Sequence, residues 1–120
     1  MAPAYAIGRM VARDGSRLQD FDFYEIHEAF AAQVLCNLKA WESEEFCERR
    51  IGLRSALGSI DRARLNVVGG SVALGHPFGA TGARLIANLA KLLSEKGSGR
   101  GLISICTGGG MAVTAILERR

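Results

Sequence analysis

The sequence predicts an α/β fold in which helices flank a mixed β-sheet that ends in an antiparallel strand pair. Helical and strand periodicities alternate along the chain, as in layered α/β domains. The 120 residues fit one domain, and 48% of them are hydrophobic, which is enough to build a core. Only the turn Thr107–Gly110 separates the predicted strands Leu102–Cys106 and Met111–Leu117, so we expect these two strands to pair.

The first half of the chain contains one predicted strand between predicted helices. Pro3 to about Arg13 is a helix candidate, because proline is tolerated in a first turn and apolar residues recur on one face. Asp20–Ile26 has the aromatic and β-branched residues of a strand. A long helix is expected from about Glu28, continued by the acidic segment Glu42–Arg50. Its expected core residues are Phe30, Val34, Leu38 and Trp41 on one stripe, Ala29, Ala32 and Cys36 on another, then Phe46 and Cys47.

The second half opens with glycine-rich chain and continues as a helix. Asn66–Val68 is a short apolar run, and five glycines fall within Gly69–Gly82. A helix is expected from about Ala80 to Lys96, with Gly97 in the position that commonly ends a helix. Its expected buried face comprises Ala83, Ile86, Leu89, Ala90 and Leu93.

Charge and composition exclude several classes of function. The net charge is +3, but the basic residues are scattered without a basic stripe or interleaved aromatics. We therefore expect a solvated surface and no nucleic-acid partner. The longest uncharged run, Gly101–Leu117, is short and contains glycines and threonines, so it predicts two buried strands rather than a membrane span.

The cysteines point to a reducing compartment. Cys36, Cys47 and Cys106 are odd in number and form no Cys-x-x-Cys pair, which argues against a disulfide framework and a structural zinc site. No other set of close ligands predicts a metal. Free thiols are typical of reducing compartments, so we expect a cytoplasmic location.

The segment Gly75–Ala83 is the most informative motif. His76 lies in a glycine-dense loop that leads into a helix, where unpaired N–H groups favour an anion or oxyanion. Gly75 and Gly79 allow close backbone approach, and Pro77 restricts the turn. The glycine spacing differs from a dinucleotide fingerprint. The alternative is a histidine that only closes a loop.

A second motif is Cys106-Thr107-Gly108-Gly109-Gly110, in which a cysteine ends a predicted strand. The glycines expose the thiol and leave backbone N–H groups free, an arrangement that suits a thiol acid/base beside an oxyanion site. The alternative is a structural cysteine at a hairpin.

The third motif is His27-Glu28-Ala29-Phe30-Ala31, where a predicted strand meets a helix. Polar groups at this position often face ligands in α/β folds. The alternative is an ordinary first helical turn in which Glu28 opposes the helix dipole. The three motifs are far apart in sequence, so only the fold could unite their chemistry.

Together these motifs resemble the C-terminal half of the thiolases. His27–Ala31 is similar to the family's Asn/His-Glu-Ala-Phe-Ala block, Asn66–Gly82 to its Asn-x-x-Gly-Gly…Gly-His-Pro block, and Cys106–Gly110 to its Cys-x-Gly-Gly-Gly block. The resemblance covers almost all of the chain. His27, where many thiolases have Asn, and the extra acidic helix Glu42–Arg50 resemble the fatty-acid β-oxidation type, as in the trifunctional-complex β subunit.

The resemblance implies an acetyl-CoA acyltransferase and a role for each motif. His76 would lower the pKa of a nucleophilic cysteine, take its proton and help to hold the thioester oxygen of the enolate. Cys106 would be the general acid/base, and the Gly108 N–H would face the acyl oxyanion. His27 would occupy the other oxyanion site.

It also implies substrate contacts and no permanent cofactor. Phe30 would pack against the pantetheine arm of coenzyme A, which is a substrate, and His27 and His76 would also contact substrate. Loop geometry would be set by Glu28, Asn66, Gly75, Pro77, Gly79, Gly109 and Gly110.

The resemblance further implies that parts of a thiolase are missing. Residues 1–120 correspond to the C-terminal domain without its first, central strand, and the nucleophilic cysteine and the loop domain belong to absent parts. We therefore expect exposed sheet edges, little activity alone, oligomers, and a thiolase N-terminal half or another thiolase subunit as partner. The alternatives are a non-catalytic module that binds acyl-CoA or lipid, and a split-gene fragment. Ketoacyl synthases share the fold, but their motif contexts differ.

Overall fold

One mixed β-sheet lies between two layers of helices in the computed structural model, which describes residues 1–120. The strands are β1 (Phe23–Ile26), β2 (Gly99–Cys106) and β3 (Ala112–Arg119). The helices are α1 (Ala2–Asp14), α2 (Ala31–Glu42), α3 (Glu44–Phe46), α4 (Ser71–Leu74) and α5 (Thr81–Lys96). None of the helices combines the length and apolar character needed to cross a bilayer.

The sheet has the strand order β1-β2-β3. β1 pairs with β2 in parallel, with Glu25 beside Ile103, and β2 pairs with β3 in antiparallel, with Ile103 beside Ala115. The predicted mixed sheet with an antiparallel end is confirmed. β1 and β2 are direct hydrogen-bonded neighbours in this sheet.

The two faces of the sheet bury different clusters. Side chains alternate along a strand, so Tyr24 and Ile26 face α1 and α2, where they join the larger cluster with Ile7 and Trp41. Ile103 points to the opposite face and packs against α5, with Leu85, Leu89 and Leu93. Gly101 permits this close approach, because a Cβ there would overlap the side chain of Leu89.

The expected buried face of α5 was partly wrong. Thr81, Leu85, Leu89 and Leu93 are buried at four-residue intervals, whereas Ala83, Ile86 and Ala90 are exposed. The helix faces the sheet with the side chains of Leu85, Leu89 and Leu93, because these pack against Ile103.

The helix after β1 also differs from the expectation. It begins at Ala31 instead of Glu28, and Phe30 is 74% exposed. Ser43 ends α2, accepts a hydrogen bond from the Phe46 N–H and begins a separate short helix that continues as a π-helical turn over Cys47–Ile51. Phe46 and Cys47 face inward as predicted, but Cys36, Ala32 and Ala29 are not in the core.

The remaining boundaries shift by a few residues. The predicted strand Asp20–Ile26 begins only at Phe23, because Leu18–Asp20 forms a 3₁₀ turn closed by hydrogen bonds between Arg17 and Asp20. The apolar run at Asn66–Val68 forms no strand, although the adjacent Leu65 makes a single parallel bridge to Tyr24.

Candidate active site

The site lies where the two parallel strands end. His27 follows β1 and Cys106 is the last residue of β2, so parallel pairing brings them to the same edge of the sheet. The backbone N–H of His27 donates to the Ser104 carbonyl oxygen over 2.8 Å and extends the ladder by one residue. Function-bearing side chains of this fold class commonly lie at this edge.

A wide apolar cleft of about 1070 Å³ opens at that edge, and we call it the cleft. It brings together all five residues predicted to carry chemistry or contact substrate. They are His27, Phe30, His76, Cys106 and Gly108. The predicted loop residues Gly79 and Gly110 also line the cleft, whereas Glu28, Asn66, Gly75, Pro77 and Gly109 do not line it.

The two histidines face each other within the cleft. Their ring centroids are 4.2 Å apart, and the Phe78 ring lies 4.9 Å from that of His76. The imidazole of His27 is 3% exposed, and burial lowers its pKa, with further lowering by the neighbouring His76 and by Arg84. His27 therefore favours its neutral form.

Each histidine has its own hydroxyl partner. His27 Nδ1 lies 2.9 Å from Ser71 Oγ at the start of α4, and His76 Nδ1 lies 2.6 Å from Thr81 Oγ1 at the start of α5. The turn between these helices depends on glycine, because Gly75 and Gly79 have φ values of 87° and 82°. The two hydroxyls orient the two rings.

Behind the histidines, Glu28 and Asn66 join three segments. Asn66 Nδ2 donates to Glu28 Oε1 over 2.7 Å, and Glu28 Oε2 accepts the Val72 N–H over 3.0 Å. Asn66 also exchanges hydrogen bonds with both backbone groups of Ile26. A Cβ at Gly70 would overlap the Glu28 carboxylate, so this contact needs glycine there. Glu28 is thus a bracing residue outside the helix, not part of a first helical turn.

Cys106 leads into a turn that exposes the backbone. Gly108, Gly109 and Gly110 all have positive φ values, and the turn is closed by the Met111 N–H, which donates to the Gly108 carbonyl oxygen. Cys106 is half-buried and free, and Gly108 borders the cleft. A thiol and a free backbone N–H that line one cleft together with two imidazoles are suited to proton transfer and to stabilising an oxyanion.

Three residues near the site were missed by sequence reasoning. Ser71 and Arg84 belong to the motif region but carry no spacing signal, because their partners come from other segments. Glu25 was detectable, since a carboxylate in the apolar strand Phe23–Ile26 must be buried on one face. Its burial raises its pKa to about 7. No three His, Cys, Asp or Glu side chains are grouped to hold a metal ion.

A family comparison matches this arrangement. The profile described as "Thiolase, C-terminal domain" matches residues 1–119. The chain belongs to this thiolase family. The resemblance inferred from the three motifs is thereby confirmed, and so is the α/β thiolase-like fold.

The similar proteins are thiolases in name. A 3-ketoacyl-CoA thiolase of Pectobacterium carotovorum is 48% identical over 118 residues, and one of Shewanella amazonensis is 47% identical. Each match covers 98% of this thiolase-family chain and 27% of the relative, so the chain spans about a quarter of their length.

Solved thiolase structures superpose on the same region. The peroxisomal 3-ketoacyl-CoA thiolase of Saccharomyces cerevisiae is 38% identical with a TM-score of 0.72, over 98% of this chain and 29% of the yeast chain. It is described as a five-layered α-β-α-β-α structure built from two core domains of identical topology. The acetyl-CoA acetyltransferase of Syntrophomonas wolfei is 33% identical with a TM-score of 0.78, over 98% of this chain and 27% of that protein.

Proposed function

We propose that the chain is the C-terminal part of a 3-ketoacyl-CoA thiolase, an acetyl-CoA acyltransferase of fatty-acid β-oxidation. The reaction is acyl-CoA + acetyl-CoA ⇌ 3-ketoacyl-CoA + CoA. The observation that carries the proposal is the meeting of His27, His76 and Cys106 in one cleft at the ends of parallel strands. The names of the similar proteins support it.

His76 is the base that activates the nucleophile. Thr81 Oγ1 lies 3.5 Å from the Pro77 carbonyl oxygen, so the hydroxyl has an acceptor of its own and is free to accept from His76 Nδ1–H. His76 Nε2 then keeps a lone pair that takes the proton of a thiol. Only the resulting thiolate attacks the 3-keto carbonyl carbon, and the bond between C2 and C3 then breaks to give an acyl-enzyme and the enolate of acetyl-CoA.

Cys106 and the turn after it complete the acyl-transfer chemistry. The Cys106 thiol moves the proton between the acetyl α-carbon and the departing or incoming CoA group. The Gly108 N–H donates to the oxyanion of the tetrahedral intermediate, and His27 donates to the enolate oxygen. These donors are fixed in position before reaction, which is why they favour the transition state over the ground state.

The apolar wall of the cleft suits the substrate. Phe30 and Phe78 are 74% and 90% exposed, and Ile86, Met111 and Val113 add apolar surface to the same cleft. Phe30 packs against the pantetheine arm of CoA. Coenzyme A enters as a substrate, and the chemistry calls for no resident cofactor or metal.

The nucleophilic cysteine comes from outside these 120 residues. Cys36 lies on the exposed side of α2, and Cys47 is buried with its sulfur against the carbonyl oxygens of Ala40 and Trp41, so neither reaches the cleft. The partner is a thiolase N-terminal half or another thiolase subunit in an oligomer. A cytoplasmic location rests on the three free cysteines.

The test is CoA-dependent cleavage of a 3-ketoacyl-CoA, which is monitored through the loss of substrate absorbance. We expect no turnover with the chain alone and turnover when the N-terminal half of a relative is added. His76→Ala or Cys106→Ser then lowers the rate by about 10²-fold or more. Cys36→Ser, which changes an exposed thiol away from the cleft, is the matched control. CoA binding without turnover in the mixture would instead favour a non-catalytic binding module.

A further inference from the structure

We propose that Ser71 and Arg84 are positioning residues that hold neutral His27 in the tautomer with its proton on Nε2. His27 then offers an N–H donor, and not a lone pair, to the cleft. The meaning of this for catalysis rests on the proposed thiolase function, whereas the tautomer itself can be measured without any turnover.

Arg84 fixes the direction of the first hydrogen bond. Its Nη2 lies 2.8 Å from Ser71 Oγ, and a guanidinium can only donate, since it has no acceptor atom and stays charged in proteins. The Ser71 oxygen therefore accepts. Ser71 is buried, so its remaining hydroxyl proton needs a hydrogen-bond acceptor.

One side chain is placed to accept the hydrogen bond from the Ser71 hydroxyl. The only other side chain in hydrogen-bonding contact with the Ser71 hydroxyl is His27, whose Nδ1 lies 2.9 Å from Oγ. Ser71 donates to Nδ1, which must then be the unprotonated ring nitrogen. A neutral imidazole carries one proton, so that proton is on Nε2.

The surroundings also keep the ring neutral. The charged or titratable groups around His27 are Arg84 from α5, His76 from the glycine-rich loop and Glu28 from its own segment. The first two oppose protonation together with burial, and only Glu28 favours it.

The neighbouring histidine is arranged differently. The Thr81 hydroxyl has the Pro77 carbonyl oxygen as an acceptor, and no guanidinium donates to it. Thr81 therefore does not force a hydroxyl proton onto His76 Nδ1. Two rings 4.2 Å apart can then have opposite tasks, with His27 as donor and His76 as acceptor.

This division would serve the proposed reaction. A neutral N–H donor stabilises an enolate oxygen without placing a fixed positive charge beside His76. An imidazolium at His27 would place a positive charge beside the His76 ring, whose centroid is 4.2 Å away. Ser71 and Arg84 thus hold His27 as a neutral donor next to His76.

The experiment is a long-range ¹H–¹⁵N NMR spectrum of the ¹⁵N-labelled chain at mildly alkaline pH. His27 and His76 are the only two histidines, and His76→Gln assigns their signals. We expect His27 Nε2 to have the chemical shift of a protonated ring nitrogen and Nδ1 that of an unprotonated one. The reverse pattern in the native chain would overturn the proposal without any variant.

Variants separate positioning from packing. Ser71→Ala should move both His27 nitrogen shifts toward the average of the two tautomers, and Ser71→Thr, which keeps the hydroxyl, should restore the native pattern. Arg84→Met should produce a smaller movement in the same direction, while Arg13→Met at the exposed end of α1 leaves the pattern unchanged. Native shifts in both Ser71→Ala and Arg84→Met would contradict the proposal. Failure of thiolysis would leave these spectra unaffected and would count against the proposed function alone.

Discussion

The two faces of the sheet bury different numbers of hydrophobic residues. On the side of α1 and α2, thirteen buried hydrophobic residues form one cluster around Trp41 and Tyr24, and the polar tip of Trp41 donates to the Ala4 carbonyl oxygen. On the side of α5 only four hydrophobic residues are fully buried, and a carboxylate lies among the buried groups. The α1/α2 side is buried like the core of a domain, whereas the α5 side continues into an exposed apolar cleft.

The difference teaches where stability and function reside in this chain. Burial of apolar surface is the main favourable term in folding, so the α1/α2 side carries most of it. Large exposed apolar patches usually mark surfaces that contact a ligand or partner. Phe78, Met111 and Val113 form such a surface around His76. Substitutions in the α1/α2 cluster should therefore lower the free energy of unfolding, whereas substitutions on the exposed cleft surface should leave it nearly unchanged.

The largest expected effect on stability is at Trp41. Trp41→Ala removes a side chain that is 1% exposed and leaves the Ala4 carbonyl oxygen without its donor, which should cost about 3–5 kcal/mol of unfolding free energy. Phe78→Ala on the cleft surface should change it by less than about 0.5 kcal/mol. Urea titrations followed by far-UV circular dichroism measure both. Equal losses would remove the contrast between the two sides.

The next effect compares two residues on a single helix. Leu89→Ala should cost about 2–5 kcal/mol, since Leu89 is fully buried against Gly101 and Ile103. Ile86→Ala, one turn away and 49% exposed, should cost far less. The same titrations apply. A cost at Ile86 as large as that at Leu89 would mean that Ile86 is covered even in the isolated chain.

These comparisons show what sequence spacing predicts well and where it fails. The order of the elements followed from the sequence, because strand ends and glycine-rich turns are local signals. The convergence of the three motifs was instead implied by their resemblance to the thiolases. The apolar row of α5 was misplaced, since Ile86 has helical spacing but borders the cleft instead of the sheet. Phe30 was assigned to a core stripe for the same reason.

The start of α2 failed for a different physical reason. Glu28 is held by Asn66 and by the Val72 N–H, which lie about forty residues further along the chain, and these contacts keep residues 27–30 out of the helix. Local helix propensity carries no information about such long-range hydrogen bonds. The hydrogen bonds from Arg84 to Ser71 and between Ser71 and His27 could not be predicted for the same reason, since they join three separate segments.

The stability of the chain should depend on pH through Glu25. Burial raises the pKa of Glu25 from 4.5 to about 7, so the folded state binds this proton more tightly than the unfolded state. The stability of the native chain should therefore lose a Glu25 contribution as pH rises from about 4.5 to about 7. Glu25→Gln should remove that loss and gain up to about 3 kcal/mol above pH 7 relative to the native chain.

The control for the pH prediction is Glu44→Gln, which changes an exposed carboxyl at the start of α3. Urea unfolding at several pH values gives the difference between each variant and the native chain. A Glu25→Gln difference that stays constant with pH would show that Glu25 ionises as freely in the folded chain as in the unfolded one.

The smallest of these effects on stability lies behind the cleft. Asn66→Gly removes the hydrogen bonds to Ile26 and Glu28 but keeps a residue that tolerates the φ value of 48°, so we expect a loss of about 1–3 kcal/mol. The peptide N–H of Ile26 would lose its partner. Amide hydrogen exchange at Ile26 should accelerate, while that of Ile103, which lies in the other cluster, stays slow. Unchanged exchange at Ile26 would contradict the bracing role of Asn66.

The most direct measurement of the central claim is thiolysis by a covalent chimera. This chain would replace the matching segment of the Pectobacterium thiolase, to which it is 48% identical over 118 residues. We predict that the chimera cleaves a 3-ketoacyl-CoA in the presence of CoA and loses about 10²-fold or more of that rate with His76→Ala. A chimera that folds with the native cooperativity but never turns over, or one that is indifferent to His76→Ala, would contradict the assignment of the cleft as a thiolase active site.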